Sequence, residues 1–359
     1  MKILHLDFDD LKNPNGGGQA IRTFEINRRL AKKHQVTVIT GNYQGAKDEI
    51  IDNIQYLRVG SKKFPWSNFS FIYQAIKRAR SRHFDILVEN FTPPFGPSFL
   101  PFFTKKPVVA MVDWAFAHEM SAKYKLPLSI LQDFGTKFYQ NFIFPTNAIA
   151  QELLGEQLDK KNVLITPNLM ASDFKRPKNY SLKNYILFIG RLDIHQKGID
   201  LLLKAFSRIV KAVDIKLYIA GEGKDKGKII KLINKLNIGK KVELLGKISG
   251  DKKIKYFSQA RLVCIPSRYE ANSVVAAECV YLKKVVVAFN IPVLVEATQN
   301  QAVYAQEFNI DDLAQQITYA YKNAEKIQKE LKFKPLPTWD KLAALQKKFY
   351  YQIIKKSKK

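Results

Sequence analysis

The fold is decided by residues 261–295, which read RLVCIPSRYEANSVVAAECVYLKKVVVAFNIPVLV. An apolar run over 262–265 is followed by a polar loop over 267–272. A helical pattern then covers 273–282, and a second apolar run covers 285–289. Strand, loop, helix and strand in this order predict a βαβ unit. Ligands of such units bind at the carboxyl ends of the strands, against the helix N-terminus, so we expect a binding site at this loop.

Two glutamates stand on this unit, Glu270 in the loop and Glu278 in the helix, with seven residues between them. They lie roughly on one side of the helix, so one ligand can touch both. The segment P-S-R-Y-E-A-N-S-V-V-A-A-E resembles the pattern P-S-x-x-E-G-F-G-L-x-x-x-E. That pattern belongs to the retaining, nucleotide-sugar-dependent glycosyltransferases of the two-domain GT-B fold, of the group 1 or family 4 type. Both glutamates of the pattern are kept, and its glycines are not.

The resemblance implies a role for each position of this loop. Glu270 would hydrogen-bond hydroxyls of the donor sugar as part of the catalytic set, and Glu278 would hold the nucleotide ribose. Backbone N–H groups of Ser273 and Val274 would stabilise the leaving diphosphate. Asn272 also lies at the donor side. Because the glycines are missing, Cβ atoms are expected near the sugar, which would narrow the pocket or change the choice of sugar.

A second motif follows a strand that begins at Tyr185. Residues 190–200 read G-R-L-D-I-H-Q-K-G-I-D, which places Arg191 and Lys197 before a helix N-terminus, where they can hold a diphosphate. In the resembled family these two positions bind the donor diphosphate and belong to the catalytic set. Gly221, in a glycine turn after the next strand, would lie near the nucleotide. The alternative is that the two cations are surface residues beside a turn.

The N-terminal half begins with a strand over 2–8, and a glycine run at 16–18 precedes a helix predicted over 19–33. Such a turn lets backbone N–H groups approach an anionic or sugar ligand closely. In the resembled family it lies near the donor phosphate and the acceptor, so Gly17 and Gly18 are donor-binding candidates. The turn is not G-x-G-x-x-G, which argues against a nicotinamide cofactor. A merely flexible turn is the alternative.

A metal site is not expected. Asp7-Phe8-Asp9 is a D-x-D sequence, which holds a divalent metal in glycosyltransferases of the other main fold. Here it ends the first strand, before the glycines, which is the wrong place for that role. The resemblance likewise implies catalysis without an obligatory metal.

The residue at the reacting centre is left open. In the resembled family a His commonly closes one N-terminal strand and contacts the transferred sugar. Alignment on residues 105–109 puts Asp113 in that place, and His118 lies five residues beyond it. Asp113 is therefore the catalytic candidate, with His118 as the alternative. Glu89 and Asn90 end an earlier strand and, with His118, are candidates for the acceptor side.

A chain of 359 residues is too long for one typical core and suits two domains. We predict an acceptor-side Rossmann-like domain over 1–170, a linker over 171–184, a nucleotide-sugar-binding Rossmann-like domain over 185–335, and a helix over 336–359 that crosses back to the first domain. The resemblance implies two doubly wound α/β domains facing a cleft. One long amphipathic helix is expected over 310–333.

The net charge of +27, from 59 Lys and Arg against 32 Asp and Glu, suits a polyanionic partner. No helix-turn-helix, zinc-finger or RNP-like pattern is present, so nucleic acid is not expected. An anionic membrane surface is expected instead, and a general bias towards lysine is the alternative. Residues 58–82 mix basic and aromatic side chains. They suit a membrane interface, or equally a core-facing helix with a solvated charged face.

The sequence predicts a cytoplasmic protein that is peripheral at the inner face of the plasma membrane. No apolar run approaches the length of a membrane span. The first residues, MKILHLDF, read as a strand rather than a secretory signal. Cys264 and Cys279 stand in apolar contexts, which are typical of buried reduced thiols.

The predicted activity is transfer of a hexose from a nucleotide-diphosphate sugar, a UDP- or GDP-sugar, to a glycan or lipid-linked acceptor. The resemblance implies retention of the anomeric configuration, no required cofactor, and a place in cell-surface polysaccharide or glycolipid synthesis. One alternative is a catalytically degenerate sugar-nucleotide-binding protein, indicated by Asp113 and the missing glycines. The other is a basic nucleic-acid-binding protein, indicated by charge alone.

Overall fold

The computed structural model of the protein describes residues 1–13, 16–61, 66–80, 83–92, 96–113, 115–177, 180–211 and 213–358. The chain forms two compact units. Unit 1 contains Met1–Leu169 and Pro337–Lys359, and unit 2 contains Met170–Leu336. Each unit has its own sheet and its own apolar core.

Unit 1 is built on a mainly parallel sheet. Its described strands are β1 (Lys2–Leu6), β2 (Gln35–Gly41), β3 (Glu49–Ile51), β4 (Ile54–Val59), β5 (Ile86–Asn90), β6 (Val108–Met111), β7 (Asn141–Phe144) and β8 (Asn162–Ile165). They pair in the order β3-β4-β2-β1-β5-β6-β7-β8, and among these pairs β3–β4 is the antiparallel one. β5, β6 and β7 are buried at every position, as expected when helices cover both faces of a sheet. After β1 the chain adds β2, β3 and β4 on one side of β1, and it then adds β5 on the other side. The strand order therefore reverses between β1 and β5.

Helices cover this sheet. They are α1 (Gly18–Leu30), α2 (Trp66–Arg80), α3 (Ala117–Tyr124), α4 (Leu128–Thr136) and α5 (Asn147–Leu154), with 3₁₀ turns at Leu100–Phe102 and Gly155–Lys160. α1 ends three residues before the predicted end, because the Lys33 N–H turns back to the Leu30 carbonyl and closes the last turn tightly.

Unit 2 has a parallel sheet. Its described strands are β9 (Lys183–Ile189), β10 (Lys216–Ala220), β11 (Val242–Gly246), β12 (Ala260–Ile265), β13 (Val286–Phe289) and β14 (Val303–Ala305). Their order is β11-β10-β9-β12-β13-β14. The predicted linker, 171–184, overlaps β9 by its last two residues. Cys264 and Cys279 are buried and free.

The helices of unit 2 flank this sheet on the connections between strands. They are α6 (Ile194–Lys197), α7 (Ile199–Ile209), α8 (Lys226–Lys235), α9 (Gly250–Gln259), α10 (Val274–Leu282), α11 (Pro292–Ala297), α12 (Ile310–Lys322) and α13 (Ala324–Glu330), with a 3₁₀ turn at Gly239–Lys241. The single helix predicted over 310–333 is wrong, because it breaks at Asn323. Asn323 has φ −104° and ψ 12°, outside helical values, and its side-chain amide donates to the Tyr319 carbonyl at 2.9 Å.

The C-terminal helix α14 (Trp339–Ser357) belongs to unit 1 and packs against α1. Thr338 caps it, since its hydroxyl accepts a hydrogen bond from the Lys341 N–H at 3.2 Å. Trp339 and Tyr350 are among its buried side chains. Of the described helices, none is long and apolar enough to cross a membrane.

The prediction of doubly wound α/β domains is confirmed in each unit. The basic-aromatic surface predicted over 58–82 needs correction, because Arg58 lies on β4, is 7% exposed and forms an ion pair of 2.8 Å with Asp10. Phe71 is buried as well. Lys62, Lys63, Phe64 and Arg82 lie outside the described residues.

Candidate functional site

The candidate site of unit 2 lies where β9 and β12 end. β9 is bordered by β10 on one side and by β12 on the other, so the connections leave in opposite directions and open a crevice at the carboxyl ends of the strands. Gly190 and Arg191 follow β9, and residues 266–273 connect β12 to α10. The two predicted motifs therefore meet at one edge of one sheet.

Arg268 ties the two loops together. Its guanidinium donates to both oxygens of Asp200, at 2.8 and 2.9 Å, and to the Ile194 carbonyl at 2.6 Å. Its backbone N–H donates to the Gln196 carbonyl at 2.8 Å. These contacts hold α6, the start of α7 and the loop after β12 as one piece. This pair was not predicted from the sequence, although Asp200 lies in one motif and Arg268 in the other.

Gly198 permits the close approach of these segments. Its φ is +60°, in the left-handed region, and a Cβ there would lie 1.9 Å from the Pro266 carbonyl oxygen. The turn between α6 and α7 therefore lies directly against the end of β12. Only glycine satisfies both conditions without displacing backbone.

Lys197 and Glu270 form an ion pair in this crevice. Lys197 Nζ lies 2.6 Å from Glu270 Oε1, and the Ser267 hydroxyl donates to the same oxygen at 2.8 Å. The two side chains of the pair are 20% and 6% exposed. Arg191, in contrast, is exposed, and its guanidinium has no partner among the described residues. The edge thus carries one free cation and one cation that a carboxylate already neutralises.

α10 begins three residues after Glu270. Its N-cap is Ser273, whose hydroxyl accepts a hydrogen bond from the Ala276 N–H at 3.2 Å. The N–H groups of Val274 and Val275, in the first turn, have no acceptor within the helix. They add the partial positive charge of a helix N-terminus to the crevice. Asn272, just before the cap, is half-buried.

Glu278 is buried on α10, with its side chain 2% exposed. Lys253 of α9 forms an ion pair with one carboxylate oxygen, while Oε2 is buried without a hydrogen-bond partner among the described residues. Burial raises the pKa of Glu278, and Lys253 opposes that rise. A buried acceptor without a donor is costly, so a ligand hydroxyl here would gain a hydrogen bond at little desolvation cost.

Lys253 is a site residue that the sequence analysis missed. Its ammonium lies 5.6 Å from the Phe174 ring centroid and 5.7 Å from that of Phe257, besides contacting Glu278. In the sequence it is one of three lysines within four residues of α9. Nothing in that run distinguishes the half-buried Lys253 from the exposed Lys252 and Lys255.

Gly221 shapes this edge through its backbone. Its φ is +148°, and a Cβ there would lie 1.8 Å from the Gly190 carbonyl oxygen. The neighbouring Glu222 carbonyl accepts a hydrogen bond from the Leu192 N–H at 2.9 Å. The glycine predicted near the nucleotide therefore keeps the loops after β9 and β10 in contact, beside Arg191.

In unit 1 the glycine turn packs on the loop that follows β1. The Gly17 N–H donates to Asp9 Oδ2 at 3.2 Å, and Gly18 begins α1. A Cβ on Gly16 would lie 2.6 Å from the Asp10 carbonyl oxygen, so this glycine allows the close contact. Gly17 and Gly18 both belong to unit 1.

Asp7 of the D-x-D sequence is buried. It accepts hydrogen bonds from the Thr23 hydroxyl at 2.5 Å and from the Gln19 amide at 2.7 Å. Burial and the neighbouring Asp9 raise the pKa of Asp7 to about 8. In the part of the chain that the structure describes, no three His, Cys, Asp or Glu side chains are grouped as a metal site.

Asp113, the candidate for the reacting centre, is paired inside unit 1. Arg22 Nη1 lies 2.7 Å from Asp113 Oδ1, and Asn168 donates to the same oxygen at 3.0 Å. Asp113 Oδ2 is buried and has no hydrogen-bond partner among the described residues. His118 is exposed, and its Nε2 lies 3.5 Å from Asp133. The structure therefore gives the two candidates different surroundings and different partners.

Glu89 and Asn90, predicted for the acceptor side, are each 1% exposed. Glu89 accepts from the Tyr139 hydroxyl at 2.5 Å and from the Ser98 N–H at 2.6 Å, and burial raises the pKa of Glu89 to about 7. Asn90 lies 3.0 Å from His5 Nε2 and donates to Thr23 at 3.3 Å. Both side chains are buried and form hydrogen bonds within unit 1, so neither offers an accessible surface to an acceptor.

Two family models match the chain. The model described as glycosyl transferases group 1 matches residues 171–332, and the model described as Glycosyltransferase Family 4 matches residues 16–170. The chain belongs to the group 1 glycosyl transferases. The glycine turn and both motifs of this group 1 glycosyl transferase lie inside the matched ranges.

Curated relatives match parts of this group 1 glycosyl transferase. An uncharacterised glycosyltransferase of Methanocaldococcus jannaschii is 34% identical over 131 residues, 36% of this chain and 33% of the relative. The poly(ribitol-phosphate) alpha-N-acetylglucosaminyltransferase of Staphylococcus aureus is 29% identical over 172 residues, 46% of this chain and 34% of the relative. A Campylobacter jejuni alpha-1,4-N-acetyl-D-galactosaminyltransferase, named for a glycan on undecaprenol diphosphate, is 25% identical over 47% of this chain and 42% of its own length. The matches thus span a third to less than half of these relatives.

Solved structures resemble the whole chain at low identity. Sucrose-phosphate synthase from Thermosynechococcus elongatus has a TM-score of 0.76 at 16% identity, covering 98% of this chain and 99% of that one. The Anabaena protein HepE, solved with UDP and glucose, has a TM-score of 0.69 at 14% identity, covering 99% of each chain. At these identities the likeness shows the fold, the two Rossmann-like domains of the GT-B class.

Proposed function

We propose that this group 1 glycosyl transferase moves a sugar from a nucleotide-diphosphate sugar to a glycan or lipid-linked acceptor. The observation that carries the proposal is the group of positive charges at the edge of β9 and β12. This group consists of the free Arg191, the paired Lys197 and the N-terminus of α10. A diphosphate is the ligand that such a group fits. The UDP and glucose bound by the structurally similar HepE support a donor of this kind.

The diphosphate would share Lys197 with Glu270. An ammonium group has three donors, so the 2.6 Å contact with Glu270 uses one and leaves two for phosphate oxygens. Arg191 adds a planar fork of N–H donors. Negative charge grows on the diphosphate as its bond to the sugar breaks. Donors already fixed in place stabilise that charge most strongly at this moment, which lowers the barrier.

Glu270 is assigned to the hydroxyls of the donor sugar. Ser267 and Lys197 fix one of its oxygens, so the orientation of the carboxylate is set before the sugar binds. Glu278 is assigned to the nucleotide ribose, because its buried Oε2 has no donor among the described residues. A ribose hydroxyl would supply that donor, and Lys253 would keep the carboxylate charged.

Retention of configuration, a hexose as the transferred group, a UDP- or GDP-linked donor and independence of metal complete the proposal. These features follow from the resemblance of the motifs. Proton NMR of the first product would test retention, because the anomeric coupling of the transferred sugar distinguishes the two stereochemical outcomes. Activity that persists in a chelator would support catalysis without metal.

The acceptor and the location are proposed together. The Staphylococcus relative is named for a poly(ribitol-phosphate) and the Campylobacter relative for an undecaprenol-linked glycan, which supports an acceptor of the cell surface or its lipid-linked precursor. The net charge of +27 favours an anionic surface. We therefore assign the protein to the cytoplasmic face of the plasma membrane, in cell-surface polysaccharide or glycolipid synthesis.

A panel of UDP-, GDP- and ADP-sugars in a thermal-shift assay tests the donor assignment. A donor at a hundred times its Kd stabilises the folded state by about 2.7 kcal/mol, so the right nucleotide raises the melting temperature. Arg191→Ala should abolish most of that rise. Absence of stabilisation by every nucleotide sugar would contradict the proposal.

A catalytically degenerate donor-binding protein is the second candidate. It is favoured by the pairing of Asp113 with Arg22 and by Ala271 and Ser273 in place of the two glycines of the pattern. Such a protein would bind the donor and neither hydrolyse nor transfer it. Release of nucleoside diphosphate from the stabilising donor, measured with and without acceptor glycans, decides between the two candidates.

A further inference from the structure

Six exposed apolar side chains on unit 1 belong to no site described above. They are between 38% and 66% exposed and are Phe102, Phe103, Leu126, Ile130, Leu131 and Phe134, which we call the apolar face. They lie within 33 residues of sequence. Outside this stretch, no 33 described residues carry more than three exposed large apolar side chains. Single exposed apolar residues are ordinary, but a contiguous group usually marks an interaction surface.

Aromatic contacts join the two segments of the apolar face. The ring centroid of Phe138 lies 4.4 Å from that of Phe102 and 5.0 Å from that of Phe134. Phe99 lies 6.5 and 6.4 Å from the same two rings. The 3₁₀ turn Leu100–Phe102 and helix α4 therefore form one surface.

Backbone contacts fix this surface in place. A Cβ on Gly135 would lie 2.5 Å from Pro97 Cγ, so α4 lies directly on the loop that precedes the 3₁₀ turn. The Ser129 N–H donates to the Ser121 hydroxyl at 2.8 Å, which holds α4 against α3. The apolar side chains are thus presented by a packed helical hairpin.

The apolar face is attached to the end of β5. The Ser98 N–H donates to Glu89 Oε1 at 2.6 Å, and the Tyr139 hydroxyl donates to Glu89 Oε2 at 2.5 Å. The Leu100 N–H donates to the same Tyr139 hydroxyl at 3.2 Å. Both flanks of the face are therefore anchored to β5. The strand order of unit 1 reverses next to β5, and ligands of such sheets usually bind at that point.

Cations accompany the segments that form the apolar face. The Arg80 guanidinium lies 4.6 Å from the Phe103 ring centroid. Four exposed lysines adjoin the face in sequence, and they are Lys105, Lys106, Lys125 and Lys137. In the described residues between 96 and 138 the exposed acid is Asp133, which contacts His118. Exposed aromatic and aliphatic side chains on segments that also carry exposed lysine and arginine complement an anionic bilayer, whose headgroups are negative and whose interior is apolar.

We propose that the apolar face docks the protein on an anionic lipid bilayer. Ile130 and Phe134 would enter the boundary between headgroups and acyl chains, while Arg80 and the four lysines contact lipid phosphates. Each such cation strengthens binding about fivefold at low salt. The docking deepens the proposed function, since it names the surface at which a lipid-linked acceptor would be met, and it rests on that function for this last step alone.

Sedimentation with vesicles tests the docking. The full-length protein is mixed, without donor, with phosphatidylcholine vesicles or with vesicles containing 30% phosphatidylglycerol, the latter at low and high salt. We expect pelleting with the anionic vesicles, and weaker pelleting at high salt or with neutral lipid. Ile130→Ser with Phe134→Ser should reduce binding at least tenfold, and Lys105→Ser with Lys106→Ser and Lys137→Ser should weaken binding to anionic vesicles and reduce its salt dependence.

Matched changes on unit 2 serve as controls. Ile230→Ser with Tyr319→Ser removes side chains that are 41% and 53% exposed, and Lys231→Ser with Lys235→Ser and Lys240→Ser removes three exposed lysines. If Ile130→Ser with Phe134→Ser unfolds the hairpin of α3 and α4, Ile130→Ser alone still tests the docking, because Ile130 is 66% exposed. Donor hydrolysis without lipid should stay unchanged in every variant, which separates docking from the proposed activity.

Three results would overturn the docking. One is equal pelleting of the unchanged protein with both lipids, or pelleting with neither. Another is an equal loss of binding in the unit 2 controls. The third is a concentration-dependent dimer in gel filtration that Ile130→Ser abolishes, which would assign the apolar face to a second copy of this chain.

Discussion

Arg191 and Lys197 supply positive charge to the donor edge under different structural conditions. Arg191 is exposed, and its side chain has no partner among the described residues. Lys197 is paired with Glu270, which is 6% exposed. Alanine at either position removes one positive charge. At position 197 it also leaves a buried carboxylate without its cation, which is costly for folding.

We therefore expect Arg191→Ala and Lys197→Ala to differ in stability and to agree in activity. Each should lose roughly 10- to 100-fold in donor turnover, because one charge-assisted contact contributes about 1.5–3 kcal/mol. Only Lys197→Ala should melt at a lower temperature without ligand. Lys231→Ala, at an exposed position of α8, is the control. Unchanged kinetics in both variants would remove the diphosphate assignment.

Glu89 makes the stability of unit 1 depend on pH. Burial raises the pKa of Glu89 from 4.5 to about 7, and hydrogen bonds from Tyr139 and Ser98 oppose the rise. The folded state therefore favours the protonated carboxyl. Its contribution to stability is complete below pH 4.5 and is lost as the pH rises to about 7. This difference corresponds to about 3 kcal/mol.

Glu89→Gln should cancel this dependence. Relative to the unchanged protein, the variant should gain about 3 kcal/mol in free energy of unfolding between pH 4.5 and pH 8. Urea unfolding across this range measures the gain, with the exposed Glu156→Gln as control. The comparison is needed because burial lowers the pKa of His5 to about 4, which removes stability in the opposite direction, as the pH falls. A constant difference between variant and parent would contradict this account of Glu89.

At the scale of elements, the crevice of unit 2 depends on how closely α6 and α7 approach the end of β12. Gly198→Ala should separate them, because the new Cβ would lie 1.9 Å from the Pro266 carbonyl oxygen and the φ is +60°. We expect the free energy of unfolding to fall by about 1–3 kcal/mol and the donor to bind more weakly. Melting temperature and nucleotide titration measure the two effects.

Gly227→Ala on α8 is the matched control. A Cβ there meets nothing within 4 Å, and alanine favours a helix. This variant should keep donor binding and gain a few tenths of a kcal/mol at most. If the two glycine variants behave alike, close packing at Gly198 does not shape the site.

The elements also show where the sequence pattern stops being informative. Ile317, Ala320 and Ala324 are all buried on one face, so the amphipathic pattern continues through the break at Asn323. The break lies at Asn323, where the backbone leaves helical values at φ −104° and ψ 12° while its N–H still donates to the Tyr319 carbonyl. Periodicity shows which residues face the core, and a change of backbone angles at one residue leaves that pattern unaltered.

For the whole molecule, the return of α14 to unit 1 predicts that the two units respond separately to a change in this helix. Tyr350 and Tyr351 are neighbours on α14, and they are 1% and 49% exposed. Tyr350→Ala should destabilise unit 1 by about 3–5 kcal/mol, as expected for a large buried aromatic. Tyr351→Ala should change stability by less than about 0.5 kcal/mol.

Calorimetry with and without the donor distinguishes the two units. The transition that the donor stabilises reports unit 2 and should not move in Tyr350→Ala. The other transition should fall in temperature. Equal shifts of both transitions, or equal effects of the two tyrosine variants, would contradict the assignment of α14 to unit 1.

The sequence by itself determined the βαβ unit over 261–295, the doubly wound class of both units and the two motifs of the donor edge. These features are local: a strand, its following loop and a helix N-terminus lie within about ten residues, where periodicity and spacing can be read directly. The parallel order of the strands then brings Arg191 and Glu270 to the same edge, since ligand loops of such sheets share the carboxyl end.

Only the tertiary structure decided which charges meet. Arg22 and Asp113 are 91 residues apart, Arg268 and Asp200 are 68 apart, and Lys253 and Glu278 are 25 apart. With 59 cations and 32 acids in the chain, no spacing rule selects these partners. Their choice follows from packing, because a charge that the core buries must find a counter-charge within hydrogen-bond reach, and the whole fold determines which one is there.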